Sequence, residues 1–373
     1  MLQKAAIFGV CCLAIVLLAS HAMGARATAQ DFSSAVAELI PVQGTASEPA
    51  STARERLKGT VQNGPAKIPG PAEAKTVLEP RFVNYERGFH EDVLALQVLL
   101  DRQNLSCNCV DGCWGPRTEI AYMTWQLLTG KEADGIPTAE ALEELGGMTN
   151  QIFRIYTITQ KDLDALVSIP ADWQEKARLK RLGYRNLLEM LAEEGHTSIR
   201  TVQRLNPNLG LWPNPPAGTQ IIIPNCAPAG KRKRLPVADS MRISLSRREI
   251  TLFDADGRLI ALFPCSIARS KAQRPEGELS VKNTADDPTY LYDPKLFNPN
   301  TTETSKLMIP AGPNNPVGSA WVGLSKQGYG IHGTPEPERI GQAASHGCFR
   351  LANWNAKKLI RMVRLQMPML IEE

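Results

Sequence analysis

The sequence lacks any apolar run of the roughly 20 residues that a membrane-spanning helix needs. Its one sustained run, residues 5–19, is shorter than that. Charge of one sign is not in excess either: 42 Lys and Arg face 38 Asp and Glu, a formal net charge of +4. That balance is too mild to argue for nucleic-acid binding. No compositional bias marks a collagenous, coiled-coil or wholly disordered chain. Apolar residues make up 43% and charged residues 21%, ordinary values for a protein that buries a core. Histidine is scarce, with five in the chain, so two close to one cysteine stand out.

A length of 373 residues suggests two or three domains. Lys4 precedes the 5–19 run, and small residues follow as far as Ala27 and Ala29. This order reads as a secretory signal peptide over 1–29, with an uncleaved anchor as the competing reading. The expected product is exported to the periplasm or cell wall and meets the membrane only before cleavage. Loss of Lys4 and Arg26 lowers the charge from +4 to +2. Six cysteines remain after cleavage: 107, 109, 113, 226, 265 and 348. In an oxidising compartment their default is disulfide pairing, so a thiol kept reduced there needs a reason. Residues 30–80, rich in Ala, Pro, Gly, Ser and Glu, read as a flexible linker. Lys231-Arg232-Lys233-Arg234 marks a second, basic linker over 227–237.

The fold class expected is multidomain α+β. Residues 81–148 carry helical periodicity at Val93, Leu96, Leu99 and Leu100, then at Ile120, Ala121, Trp125 and Leu128. Thr138 opens a third short helix with Leu142 and Leu145. The turns Asp111-Gly112 and Asp134-Gly135 stand at similar distances ahead of Thr118 and Thr138, a weak internal repeat. Composition and spacing give a small three-helix bundle. The order Leu96-Gln97, VDGCWGPRT at 110–118, Trp125-Gln126 and ADGIPT at 133–138 resembles the helical peptidoglycan-binding domain family.

Residues 151–226 begin and end with strands, near 152–158 and 219–223, around helices near 184–194 and 199–205. YTIT, LNPNL at 205–209 and PAGTQIIIP at 216–224 resemble the glycan-binding LysM module, an α/β unit. A long insertion over about 164–180 departs from that pattern, and a rigid spacer is the competing reading. From 238 to 373 strands dominate: 242–246, 249–253, 259–267, 277–282, 321–324, 330–332 and 369–373. One helix carries the stripe Ala356, Leu359, Ile360 and Val363, with Asn353 as its expected cap. A mainly β, sandwich-like domain follows. His90 and His196, isolated among polar neighbours, read as surface residues, and Cys265 as a buried small hydrophobe.

The chemistry concentrates in Tyr329-Gly330-Ile331-His332-Gly333-Thr334 and Ser345-His346-Gly347-Cys348-Phe349-Arg350. A cysteine is mostly thiol at neutral pH, and a neighbouring imidazole can move it toward the nucleophilic thiolate. Gly347 permits close backbone approach, so amides near Cys348 can address an oxyanion. Arg350 can grip a substrate carboxylate. Residue types alone leave three readings: acyl transfer through a thioester, a zinc site from His332, His346 and Cys348, or a structural disulfide.

The spacing of IHGT and SHGCFR, with PEGEL at 275–279 and NNPVGSAWVGL at 314–324, resembles the YkuD-type L,D-transpeptidase catalytic domain over roughly 238–372. The resemblance implies Cys348 as nucleophile and His332 as general base, its ring oriented by the Gly333 carbonyl. His346 shapes the surroundings, and Gly347 and Cys348 amides serve the oxyanion. Arg350, Ser345 and Tyr329 contact substrate. It implies no cofactor and no metal. The expected partner is peptidoglycan, its stem peptides and glycan, with an anchored lipoprotein as a further acceptor and no nucleic acid. An L,D-carboxypeptidase or endopeptidase, or a non-catalytic wall-binding protein, are the alternatives. Phe349 stands where that family carries a smaller aliphatic residue.

Overall fold

A computed structural model describes residues 88–147, 152–226, 234–297, 300–302, 304–345 and 347–373. The expected signal peptide, the flexible linker, most of the basic linker and His346 lie outside them.

Helices α1 (Glu91–Arg102), α2 (Pro116–Leu128) and α3 (Ala139–Glu144) form the first module. Leu94, Leu96, Leu99, Leu100, Tyr122, Trp125 and Leu142 share its core. The internal repeat has a physical basis in a buried glutamine beside each turn. Gln97 accepts from the amides of Asp111 and Gly112 and donates to Asp111 and Thr118. Gln126 repeats this, accepting from the Gly135 amide and donating to Asp134. Gly112 and Gly135 have φ of +70° and +74°, a backbone region that only glycine enters cheaply. Thr138 caps α3, its hydroxyl accepting from the Ala141 amide at 3.2 Å.

The second module pairs β1 (Phe153–Thr157) antiparallel with a later strand, across α4 (Gln160–Asp164), α5 (Trp173–Arg178), α6 (Leu187–Glu194) and α7 (Ile199–Leu205). That partner is β2 (Gln220–Pro224). Leu187, Leu191, Val202, Ile221 and Ile223 form its core.

The C-terminal module contains β3 (Ser240–Ser244), β4 (Glu249–Phe253), β5 (Leu259–Pro264), β6 (Ile267–Ala268), β7 (Gly277–Asp286) and β8 (Tyr290–Tyr292). The short α8 (Pro294–Phe297) precedes β9 (Leu307–Ile309), β10 (Ala320–Leu324), β11 (Gly330–His332), β12 (Ala343–Ser345) and β13 (Phe349–Arg350). Helix α9 (Asn353–Met362) and β14 (Pro368–Glu372) close the chain. Eight strands form one sheet, ordered β13-β11-β10-β7-β14-β3-β4-β5. One long strand carries both halves of this sheet: β7 pairs with β14 through Gly277–Ser280 and with β10 beyond it. Both halves and α9 enclose one core containing Ile243, Phe263, Cys265, Val322, Ile331, Phe349, Leu359 and Met369.

Three expectations change. The run at 259–267 splits into β5 and β6 around Pro264, which has no N–H to extend a ladder. Asn353 is the first residue of α9, not its cap, and its side chain bonds elsewhere. His196 is not a surface residue: its Nδ1 lies 2.9 Å from Asp101 Oδ2, and its ring stacks on Trp354.

That Asp101 joins all three modules. It is 1% exposed and accepts from Lys358 of α9 at 2.8 Å as well as contacting His196. The Lys358 ammonium also bonds the Asp101 carbonyl. Leu105 of the first module lies beside Leu262 of β5, where Ser106 N–H donates to the Leu262 carbonyl at 2.9 Å and Leu262 N–H to that of Asn104.

Candidate active site

Strand β11 pairs in parallel with β13, setting Ile331 beside Phe349 and His332 beside Arg350. Side chains alternate across a sheet. Ile331 and Phe349, each 1% exposed, point into the core, so the bulky Phe349 is absorbed by packing. His332 and Arg350 take the other face, and so does Cys348, one residue before Phe349. The Gly330 N–H is directed at the Cys348 sulfur, which lies 3.8 Å from the Gly328 carbonyl. Residues 332 and 350 therefore share one face of adjoining strands, with residue 348 placed on that face by alternation.

The imidazole is held in one tautomer. His332 Nδ1 lies 2.6 Å from the Gly333 carbonyl. A carbonyl only accepts, so Nδ1 carries the proton and Nε2 keeps its lone pair. Burial, with Arg350 adding to it against the Gly333 bond, lowers the His332 pKa to about 4. Burial also raises the Cys348 thiol above its ordinary value, against the pull of the Gly330 amide and Arg350. The resting pair at neutral pH is thus thiol and imidazole, not the thiolate that the sequence alone suggested. A thiol beside a neutral imidazole is the resting state that general-base chemistry requires.

Sequence reasoning missed three supporting residues. Trp321 of β10 stands opposite His332, the rings 5.8 Å apart and nearly parallel, with its indole N–H donating to Asn283. Asn353 accepts from the Ser319 amide and donates to the Pro313 carbonyl and to Glu193 of the second module. Gly318, at φ +62°, fits against the Gly333 turn: an added Cβ would stand 2.4 Å from the Gly333 carbonyl carbon. Their local signal was weak, because each acts through register or a distant partner. Gly318→Ala is expected to displace the Gly333 carbonyl and lower kcat about tenfold, with substrate KM little changed. Steady-state kinetics on a tetrapeptide donor checks this, and an unaltered kcat contradicts it.

Tyr329 lies against the backbone ahead of the nucleophile, its ring 3.3 Å from where a Cβ on Gly347 would stand. Ser345 ends β12, whose backbone pairs in parallel with β6. Arg350 is anchored by both backbone bonds to Ser266, and its buried Nε has no hydrogen-bond partner among the described residues. That donor is available to a carboxylate.

Among the described residues, the group with metal-ligand spacing is Asp101, His196 and Cys226, away from Cys348. There the Lys358 ammonium already sits on the carboxylate. No disulfide joins Cys107, Cys109, Cys113, Cys226 or Cys265. A cleft of 1110 Å³, lined by Phe89, Trp114, Arg117, Arg200, Arg204 and Arg248 among others, opens between the modules and does not include Cys348.

Residues 239–371 match the family model of the L,D-transpeptidase catalytic domain, YkuD. YkuD of Bacillus licheniformis, a protein named as an L,D-transpeptidase, is 31% identical over 176 residues, covering 47% of this chain and 87% of its own. Its Bacillus subtilis counterpart is 28% identical over 178 residues, with the same two coverages. Escherichia coli ErfK/SrfK, also named for this activity, is 25% identical over 179 residues, covering 46% of this chain and 54% of its own. With thiol, imidazole and guanidinium gathered on one sheet face in the matched segment, the chain belongs to the YkuD-type L,D-transpeptidase family.

Proposed function

We propose that this protein is an exported cysteine acyltransferase that cross-links peptidoglycan. The observation that carries the reading is the shared face of His332, Cys348 and Arg350, with the His332 tautomer fixed by Gly333. The Cys348 sulfur attacks the carbonyl of the third residue of a stem tetrapeptide while its proton passes to His332 Nε2. The bond to the terminal D-Ala breaks, and the departing amine takes that proton. An acceptor amine then attacks the thioester, gives its proton to the imidazole and expels the sulfur, which is reprotonated. Amides at Gly347 and Cys348 face the oxyanion, and Arg350 holds a donor carboxylate. The acceptor is a neighbouring stem, giving a 3→3 link, or the lysine of an anchored lipoprotein. The two preceding modules hold the enzyme on the wall, and the arginines and aromatics of the large cleft suit a sugar polymer bearing carboxylates.

Incubation with a disaccharide tetrapeptide, with and without an amine acceptor, tests this by mass spectrometry of the products. Cross-linked dimer supports transfer. Tripeptide alone assigns hydrolysis, and unprocessed donor leaves a wall-binding protein.

The protonation states give a pH dependence. His332 must be neutral to accept a proton, so kcat/KM is expected to fall only as pH drops toward about 4 and to stay level from roughly pH 6 to 8. Alkylation by iodoacetamide follows the thiolate and should rise only in alkaline solution, since the Cys348 pKa is raised. Half-maximal alkylation near neutrality would indicate a preformed ion pair and overturn this assignment.

A further inference from the structure

The insertion that sets the second module apart from the LysM pattern, taken with residues 181–183 just after it, sends Leu166 to that module's core but turns its other apolar side chains away from it. Ile169, Trp173, Leu179 and Leu182 pack instead against Tyr290, Tyr292, Leu307 and Ile309 of the β8–β9 hairpin. Trp173 stacks on Tyr292 with ring centroids 4.2 Å apart and planes at 15°. Leu182 is 1% exposed and Ile309 fully buried, so the contact is dry.

The insertion also grips both feet of the hairpin. At the first, Arg181 pairs bidentately with Asp287. At the second, Leu182 N–H donates to the Ala311 carbonyl at 2.8 Å, and Asn314 N–H donates to that of Leu182. The Asn314 side chain bonds the Gly183 carbonyl and Glu189. Gly312 permits the approach: a Cβ there would stand 2.1 Å from the Leu182 carbonyl oxygen.

Those feet abut the His332 turn. Asp287 N–H donates to the Ser319 carbonyl, and Gly333 N–H to that of Ala320. Tyr290 shares the Tyr292 face of β8 by alternation. Its hydroxyl pKa is raised, first by burial and then by the charge Cys348 would carry.

We propose that the 164–180 insertion, with residues 181–183 that follow it, is a clamp that positions the β8–β9 hairpin beside the His332 turn, so that the second module governs productive seating of the stem-peptide donor. This rests on Cys348 catalysis as proposed above. Trp173 and Leu182 are positioning residues, since they act through the hairpin and touch no reacting atom.

The test compares full-length wild type, Trp173→Ala, Trp173→Phe and Gly312→Ala with a tetrapeptide donor. Trp173→Ala is expected to raise the donor KM roughly tenfold and to lower amide-exchange protection at Tyr290–Tyr292 and Leu307–Ile309. Trp173→Phe, which keeps a ring on Tyr292, should restore both. Gly312→Ala should separate clamp from hairpin in the same way and decides the matter if Trp173→Ala does not fold. Unchanged KM and unchanged protection in both alanine variants overturn the clamp. Should wild type itself fail to turn over the donor, the exchange measurement still reads the clamp: lost protection supports it, unchanged protection overturns it.

Discussion

Cys348→Ala is expected to abolish the covalent adduct with a tetrapeptide donor and to lower turnover by at least about 10³-fold, while binding to isolated wall survives. The sulfur lies on the sheet face of His332 and Arg350, and the neutral His332 imidazole is the base proposed for its proton. His332→Gln should leave a thiol that alkylates in strong base yet acylates about 10²- to 10⁴-fold more slowly, because the general base is gone. Intact-protein mass spectrometry after brief exposure to donor separates these results. Persistence of the adduct in Cys348→Ala would place the acyl group elsewhere and dismantle the mechanism.

The second large effect concerns Asp101. Burial alone would raise its pKa, but Lys358 and His196 outweigh that and hold the carboxyl well below the usual range. Lys358→Met leaves a buried carboxylate facing His196 alone, and removing one member of a buried pair costs about 3 kcal/mol. The thermal midpoint should fall by several degrees, on the order of 10 °C. Because the folded pKa is depressed, the stabilisation is complete above the unfolded value of about 3.9 and is lost as pH falls through the folded one. Adding Asp101→Asn to Lys358→Met should recover part of the loss, since the uncompensated charge disappears. A single variant within about 0.5 kcal/mol of wild type would show that the cluster contributes little.

The sequence carried the catalytic strands well and their neighbours poorly. Gly330–His332 was legible as a strand, and the two glycine-histidine motifs directed attention to residues 332 and 348. The clamped hairpin was not, because Tyr290–Tyr292 and Leu307–Ile309 are three residues each, too short to show alternation. Trp321 was quoted within a motif, but only the β10–β11 register sets it across from His332. His196 was read from polar flanks, whereas its partner stands 95 residues away. Charge neutrality of the thiol–imidazole pair was likewise out of reach, since burial comes from tertiary packing. In each case local composition was informative where the determinant was local, and silent where it was a contact between modules.

The pairing of Asn104 and Ser106 with Leu262 has a consequence for how the enzyme can be dissected. Strand β5 ends the eight-stranded order, and a sheet margin with unclaimed amides and carbonyls invites self-association. The first module supplies partners at Leu262 on that margin. A C-terminal fragment cut away from it would expose that rim at Leu262, so the helical domain also shields a sheet margin.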